Sequence, residues 1–343
     1  MKIVLRSPNW LGDAVIATAA ARALKQVYPE SRLSVLAHPR IIDVWKNNPR
    51  ADELLPLEGW WKTAARLRAA KFDLGVILPH SFSSVWSMAW GGVRERVGYS
   101  TEGRGWWLTR RMPSPAFRDQ HEVKEYLGLV EAIKPALLRP QSEASDYSQE
   151  SEWVVTEEED VQARAWLAEQ GFDEETIVVA LCPGATYGPA KRWFPERFIE
   201  VGSTVRQRFH ARFVVLGNES ERALVSSVTQ GVGEGAVALI GRPLRMVAAI
   251  LRLCRAVVSN DTGLMHVAAA LRVPTVAIFG STSPQWTEPL GDGHYVVYKA
   301  VSCSPCFQRT CIRREKDYLC LQEIKAEEVT AAVISQLAGS RAI

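Results

Sequence analysis

No apolar run in this 343-residue sequence reaches the roughly 18 residues that a membrane-spanning helix needs, which excludes a protein built on such helices. The first strand-like run, Ile3-Val4-Leu5, is not followed by G-x-G-x-x-G, and no G-x-x-x-x-G-K-[ST] occurs anywhere. A standard dinucleotide site and a P-loop nucleotide hydrolase are therefore disfavoured. Excess charge is also missing. Lys and Arg total 41 against 38 Asp and Glu, and a net +3 is too little to argue for nucleic acid. The opening Met1–Arg6 is too short and too soon interrupted for a signal peptide, so a strand starts the fold at once and a cytoplasmic protein is expected.

What is present is an ordinary globular composition, 47% hydrophobic and 23% charged, in a chain long enough for two domains. Strand-like runs alternate with helical patterns: Ile3–Leu5, a helix over Ala14–Val27, Leu33–Leu36, a helical pattern at Ile41–Asn47, a helix over Trp60–Lys71, Leu74–Leu78, and a helix over His121–Ile133. Thr101–Ala116, rich in Gly, Trp, Arg and Pro, reads as a loop, and Pro135–Trp153 has a linker's composition. Thr156 with Glu159 reads as a capping box that opens a helix to Gln170. A second alternating series runs from Ile177 to Phe279. Such alternation means βαβ units on a parallel sheet. The expectation is an α/β chain of two Rossmann-like domains, 1–153 and 154–343, with the last helix able to return to the first domain. Ligands of such sheets bind outside the carboxyl ends of the strands, and two facing domains would hold a substrate in the cleft between them.

Three strand ends in the second series carry ligand-like chemistry. Ala256-Val257-Val258 runs through Asn260-Asp261-Thr262-Gly263 into a helix that carries His266. A helix start there offers free N–H groups and a positive dipole end to a diphosphate. Asp261 or Thr262 can cap the helix, and the competing reading is an ordinary capped helix with a core histidine. Val178–Leu181 leads into Pro183-Gly184-Ala185-Thr186-Tyr187-Gly188, then Lys191-Arg192-Trp193. Backbone N–H groups and the Thr186 hydroxyl suit phosphate oxygens, and Lys191 suits charge developing on a leaving diphosphate. Glu219 and Glu221 follow the strand that ends at Leu216, where a carboxylate can accept from ribose hydroxyls. In the first series, Gly12-Asp13 opens a helix. Asp13 is either a general base for an acceptor hydroxyl or a helix-capping carboxylate.

Two further features stay open at this level. From Trp60 to Arg111, nine Lys or Arg stand against three Asp or Glu, interleaved with Trp60, Trp61, Trp86, Trp90, Trp106 and Trp107. The mixture suits an anionic, amphipathic partner such as a lipid-linked phosphate or a membrane surface; it equally suits a solvated basic face over a Trp-rich core. Cys182 and Cys254 read as core residues. Cys303, Cys306, Cys311 and Cys320 form either a structural zinc site or a set of unligated thiols packing a loop.

Taken together, Pro8-Asn9-Trp10-Leu11-Gly12-Asp13, Leu78-Pro79-His80-Ser81-Phe82, Pro183-Gly184-Ala185 through Trp193, Asn260 through Leu271, and Phe279-Gly280-Ser281-Thr282-Ser283-Pro284 resemble the heptosyltransferases of the lipopolysaccharide inner core, glycosyltransferase family nine. The resemblance covers essentially the whole chain and is greatest to the heptosyltransferase II branch. It implies a GT-B fold and an inverting transfer that needs no cofactor and no bound metal. The implied donor is ADP-L-glycero-D-manno-heptose and the implied acceptor the heptosyl-Kdo2-lipid A core, met at the cytoplasmic face of the inner membrane. It implies Asp13 as general base, with Gly184, Thr186, Tyr187, Lys191, Glu221 (or Glu219), Met246, Asp261, Thr262, Gly263 and His266 at the donor. Asn9, Trp10, Gly12, Lys62, Arg66, His80 and Ser81 are the acceptor candidates. A type I or III enzyme with another acceptor, or a non-catalytic nucleotide-binding scaffold, are the alternatives.

Overall fold

The computed structural model describes residues 1–113, 115, 118–135, 147–315 and 317–339. The chain divides into two compact units, Met1–Val154 and Val155–Ile343. The first holds β1 (Lys2–Arg6), α1 (Leu11–Ile16), α2 (Thr18–Val27), β2 (Arg32–Ala37), β3 (Glu53–Pro56), α3 (Trp60–Ala70), β4 (Leu74–Ile77), α4 (Phe82–Trp90), β5 (Glu95–Tyr99), β6 (Arg110–Met112) and α5 (Glu122–Ile133). The second holds α6 (Glu157–Glu169), β7 (Val178–Cys182), α7 (Pro195–Phe209), β8 (Arg212–Gly217), α8 (Arg222–Val232), β9 (Ala236–Ile240), α9 (Leu244–Arg252), β10 (Ala256–Asn260), α10 (Gly263–Ala270), β11 (Thr275–Phe279), α11 (Pro284–Thr287), β12 (Tyr295–Tyr298), α12 (Leu319–Gln322) and α13 (Ala326–Gly339).

Each unit is one six-stranded sheet, in the order β3-β2-β1-β4-β5-β6 and β12-β11-β10-β7-β8-β9. The strand pairings are parallel throughout. Parallel strands covered on both faces need continuous apolar runs, and β4, β7, β10 and β11 are buried along their whole length. In the second unit Val179, Leu181, Phe198, Phe213, Val258 and Ile278 share one core, over which α13 packs against α7. Cys182 and Cys254 are buried, as expected, and burial pushes the Cys182 thiol up to about 12.

The strand order fixes where ligands can sit. In the first sheet the order reverses between β1 and β4, in the second between β7 and β10. A crevice opens at such a point, outside the carboxyl ends of the two strands.

Local expectations fare unevenly. The capping box at Thr156 and Glu159 is formed, and α7 begins with Pro195 in its first turn. The single helix expected over Ala14–Val27 breaks at Ala17. There the Thr18 hydroxyl donates to Val15 O (2.6 Å), competing with the helical ladder. The loop expected at Thr101–Ala116 contains a 3-10 turn, Arg104–Trp107, and edge strand β6; Ser114 and Ala116 lie outside the described residues. Most of the linker, 136–146, also lies outside them. Its described end is tied down by Glu152, which pairs with Arg22 (3.0 Å) and Arg50 (3.3 Å).

Candidate active site

In the first unit the turn after β1 and the turn after β4 flank the same crevice. Arg6, the last residue of β1, is buried and donates from Nη2 to Asn9 Oδ1 (2.9 Å), fixing the start of the turn. Burial holds its guanidinium down to about 10, still charged at neutral pH. Asn9 and Trp10 are exposed, Gly12 is buried, and half-buried Asp13 stands in the first turn of α1. Opposite, Arg104 is fully buried and donates to Pro79 O, Tyr99 O, Ser81 O and Ser84 Oγ, so one side chain sets the course of the turn after β4. His80 leaves that turn stacked on Tyr99 (centroids 5.5 Å apart) with Nε2 3.2 Å from Glu125 Oε2.

Helix α5 supplies what the sequence reading lacked, a second carboxyl in the field of Asp13. Glu122 is 7% exposed, its Oε1 accepts from the Tyr126 hydroxyl, and its Oε2 is buried without a hydrogen-bond partner among the described residues. Burial, and then the charge of Asp13, push the Glu122 carboxyl well above the ordinary range. A charge on it would be left unsolvated, so its surroundings favour the protonated form of Glu122. Folding therefore raises the proton affinity of Glu122. Its contribution to stability is complete below about 4.5, its ordinary value, and is lost as pH rises toward the raised one. Glu122→Gln keeps the neutral shape and should melt progressively higher than the parent as pH increases. Each tenfold of proton affinity is about 1.4 kcal/mol, or roughly 3–5 °C. Equal melting of the two proteins between pH 5 and pH 9 would show that Glu122 takes up no proton on folding.

Lys62 and Arg66 lie on α3, the helix that joins edge strand β3 to β4 and packs on α4. Lys62 is exposed, and Arg66 is paired with Glu58 (3.0 Å).

In the second unit, Asn260 joins the two turns that flank the crevice. It is fully buried, donates from Nδ2 to Pro183 O (2.7 Å) and accepts at Oδ1 from Trp193 N (3.1 Å). Lys191 Nζ lies 2.5 Å from Asp261 Oδ2, both largely buried. The same oxygen accepts from Thr282 Oγ1 (2.6 Å), and Nζ stands 4.8 Å over the Tyr187 ring. The capping expected of Asp261 or Thr262 is not made. Asp261 is taken by Lys191 and Thr282, while Thr262 occupies the cap position of α10 with no side-chain cap hydrogen bond. The N–H groups at the start of α10 are thus not taken by a side-chain cap. Thr186 is exposed on the turn after β7; His266 is buried at 5% exposure, with Thr262 and Gly263 half-buried before it.

Glu221 is buried, accepts from Asn218 N at Oε2 (3.1 Å), and lies against Gly184. A Cβ at Gly184 would fall 2.3 Å from the Glu221 carboxyl, so any larger residue there would have to displace the Glu221 side chain. Glu219 is exposed and paired with Arg222 (2.6 Å). Of the two carboxylates, Glu221 is the one facing the turn after β7. Met246 is half-buried on α9, after β9 and two strands from β7.

The zinc alternative for the four cysteines is not supported. Among the described residues no group of three or more His, Cys, Asp or Glu is arranged to hold a metal ion. Cys320 is part of the second unit's core, where burial pushes its thiol up to about 11, while Cys303, Cys306 and Cys311 are half-exposed on the preceding loop. The same loop braces the site instead. Phe307 O accepts from the Tyr187 hydroxyl, and Arg309 O accepts from Ala190 N (3.0 Å).

Residues 60–317 match the profile of glycosyltransferase family 9 (heptosyltransferase). The lipooligosaccharide heptosyltransferase 2 of Haemophilus ducreyi is 29% identical over 311 residues, covering 84% of this chain and 86% of that one. The lipopolysaccharide heptosyltransferase 1 of Pseudomonas aeruginosa is 28% identical over 336 residues, covering 91% and 87%. The solved structure of the Escherichia coli ADP-heptose lipopolysaccharide heptosyltransferase II superposes with a TM-score of 0.82 at 25% identity, covering 100% of both chains.

Proposed function

The chain belongs to glycosyltransferase family 9, the heptosyltransferases, and from that premise we propose that it carries L-glycero-D-manno-heptose from ADP-heptose to the heptosyl-Kdo2-lipid A core of lipopolysaccharide, with inversion. The acceptor hydroxyl attacks the anomeric carbon, the bond from that carbon to the diphosphate oxygen breaks, ADP leaves, and the hydroxyl proton passes to Asp13. The first unit takes the acceptor and the second takes the donor. The observation that carries this reading is the place of Asp13, in the first turn of α1 just after β1, at the point where the strand order of the first sheet reverses.

On the donor side, Lys191 and the uncapped start of α10 answer the charge that grows on the leaving diphosphate. That is the stabilisation a metal ion gives elsewhere, and the transfer proceeds here without one. Asp261 acts through Lys191, holding its ammonium in place. Glu221, packed against Gly184 in the turn after β7, receives the ribose hydroxyls, and Tyr187 stacks beneath the Lys191 ammonium. The acceptor is lipid-linked, so the protein works at the cytoplasmic face of the inner membrane.

The test is a panel of nucleotide-sugar donors and core acceptors, with products weighed by mass spectrometry and the new linkage assigned by NMR. One added heptose on the heptosyl core, with inverted configuration and stoichiometric ADP, is expected. Transfer to the unsubstituted Kdo2 core in its place would make the protein a type I enzyme. ADP-heptose binding without transfer to any acceptor would make it a scaffold.

A further inference from the structure

The Trp-rich basic segment suits either a core or a partner surface by its residues alone, and the structure puts much of it outside. Trp61 is 66% exposed and Trp106 84%, while Trp60, Phe82 and Trp90 are exposed by about two-fifths. All but Trp106 form one patch around Trp86, and Trp106 is the chain neighbour of Trp107 at its edge. Its ring centroid lies 6.3 Å from Trp60, 5.6 Å from Phe82, 5.7 Å from Trp90 and 4.8 Å from Trp107, and Trp61 stacks on Trp60 at 3.5 Å. The patch runs from the start of α3 along α4 to the 3-10 turn at Arg104–Trp107. One end, Phe82, follows His80 and Ser81 at the crevice. Exposed aromatic clusters of this kind on one face mark an interaction site.

The charge around it is mostly positive. Lys62, Arg68 and Arg111 are exposed, and the Arg111 guanidinium lies 5.4 Å over the Trp106 ring. Of the acidic residues nearby, Glu58 is spent on Arg66, and Glu102 accepts from Phe82 N. Indole rings rimmed by cations match a bilayer interface, where aromatic rings settle at the headgroup level and Lys or Arg meet anionic lipid.

We propose that this face, built on Trp60, Trp61, Phe82, Trp86, Trp90 and Trp106, is an adsorption surface for an anionic lipid bilayer. The inference rests on the lipid-linked acceptor proposed above and deepens it. Seating on the bilayer through the patch brings the end at Phe82, and with it the crevice of the first unit, to the layer in which a lipid-anchored sugar stands.

The test is flotation of the full chain with phosphatidylcholine vesicles, and with vesicles in which about a quarter of the lipid is phosphatidylglycerol. Binding to the anionic vesicles, weakened by high salt, is expected. The pair Trp61→Ala and Trp106→Ala should lower vesicle affinity about tenfold, and the pair Arg68→Glu and Arg111→Glu by roughly 10–30-fold. All four side chains are surface groups, and circular dichroism checks that the variants are folded. Turnover on a delipidated, water-soluble acceptor should be unchanged in the tryptophan variants. Equal vesicle binding by parent and variants overturns the proposal. So does a dimer that the tryptophan substitutions dissociate, with no vesicle binding by the parent. A parent that floats with anionic vesicles but transfers nothing to the soluble acceptor leaves the surface standing and removes the heptosyl-transfer reading.

Discussion

Asp13→Asn is expected to lower turnover by about 10²- to 10⁴-fold, equivalent to roughly 3–5 kcal/mol, while the KM for ADP-heptose stays within about twofold. The substitution keeps shape and removes only the ability to take a proton. In the proposed reading donor binding belongs to residues of the second unit and is not touched. The acid limb of the pH–rate profile should vanish with the carboxylate, because Asn cannot titrate. If Asp13 were only an acidic residue in the first turn of α1, the same change would cost a few tenths to about 1 kcal/mol of stability and leave turnover intact. Glu122→Gln separates the two carboxyls. It preserves the neutral partner, so turnover near that of the parent is expected beside a large loss in Asp13→Asn. The reverse ranking would make Glu122 the base.

That pair of carboxyls also shows how far local pattern reaches. The turn carrying Asp13 was legible because a strand, a Gly-Asp step and a helical period lie within fifteen residues. Glu122 was not, because its importance comes from packing α5 beside α1, more than a hundred residues away in sequence. The same holds in the second unit. Asn260, Asp261, Lys191 and Gly184 were each readable as strand-end residues, and the strand order brings their turns to one crevice. What could not be read is that Asn260 ties the turns together, or that Asp261 is committed to Lys191 and so leaves α10 uncapped.

Secondary structure divides along similar lines. Strands buried on both faces, such as β7, β10 and β11, announce themselves as apolar runs. β5, with the sequence Glu-Arg-Val-Gly-Tyr, and β6, Arg-Arg-Met at the sheet edge, carry charges into the ladder and lack that signature. α4 is mostly serine and aromatic residues, and much of its aromatic surface faces outward, so its helical period is obscured. The elements hardest to read are those that build the aromatic face, because a surface meant for a partner violates the inside–outside pattern by which helices are recognised.

Lys191→Ala is expected to weaken ADP binding by about 10²- to 10³-fold and to lower turnover at saturating donor by a similar factor. The loss has two sources. One is the missing cation. The other is Asp261, which is 4% exposed and would be left as a buried carboxylate with only the Thr282 hydroxyl to satisfy it, close to where a diphosphate arrives. Removing one partner of a buried pair costs about 3–5 kcal/mol, so the melting temperature should fall as well. The double variant Lys191→Ala with Asp261→Asn removes the stranded charge. It should recover stability and roughly tenfold of the ADP affinity, while turnover stays low for want of the cation. Asp261→Asn alone leaves the cation but loosens it, and should raise the donor KM more than it lowers turnover. Calorimetric titration of ADP into the four proteins reads the coupling directly. Additive effects, with no recovery in the double variant, would mean that the ion pair only braces the turn and that the donor's charge is met by the start of α10 alone.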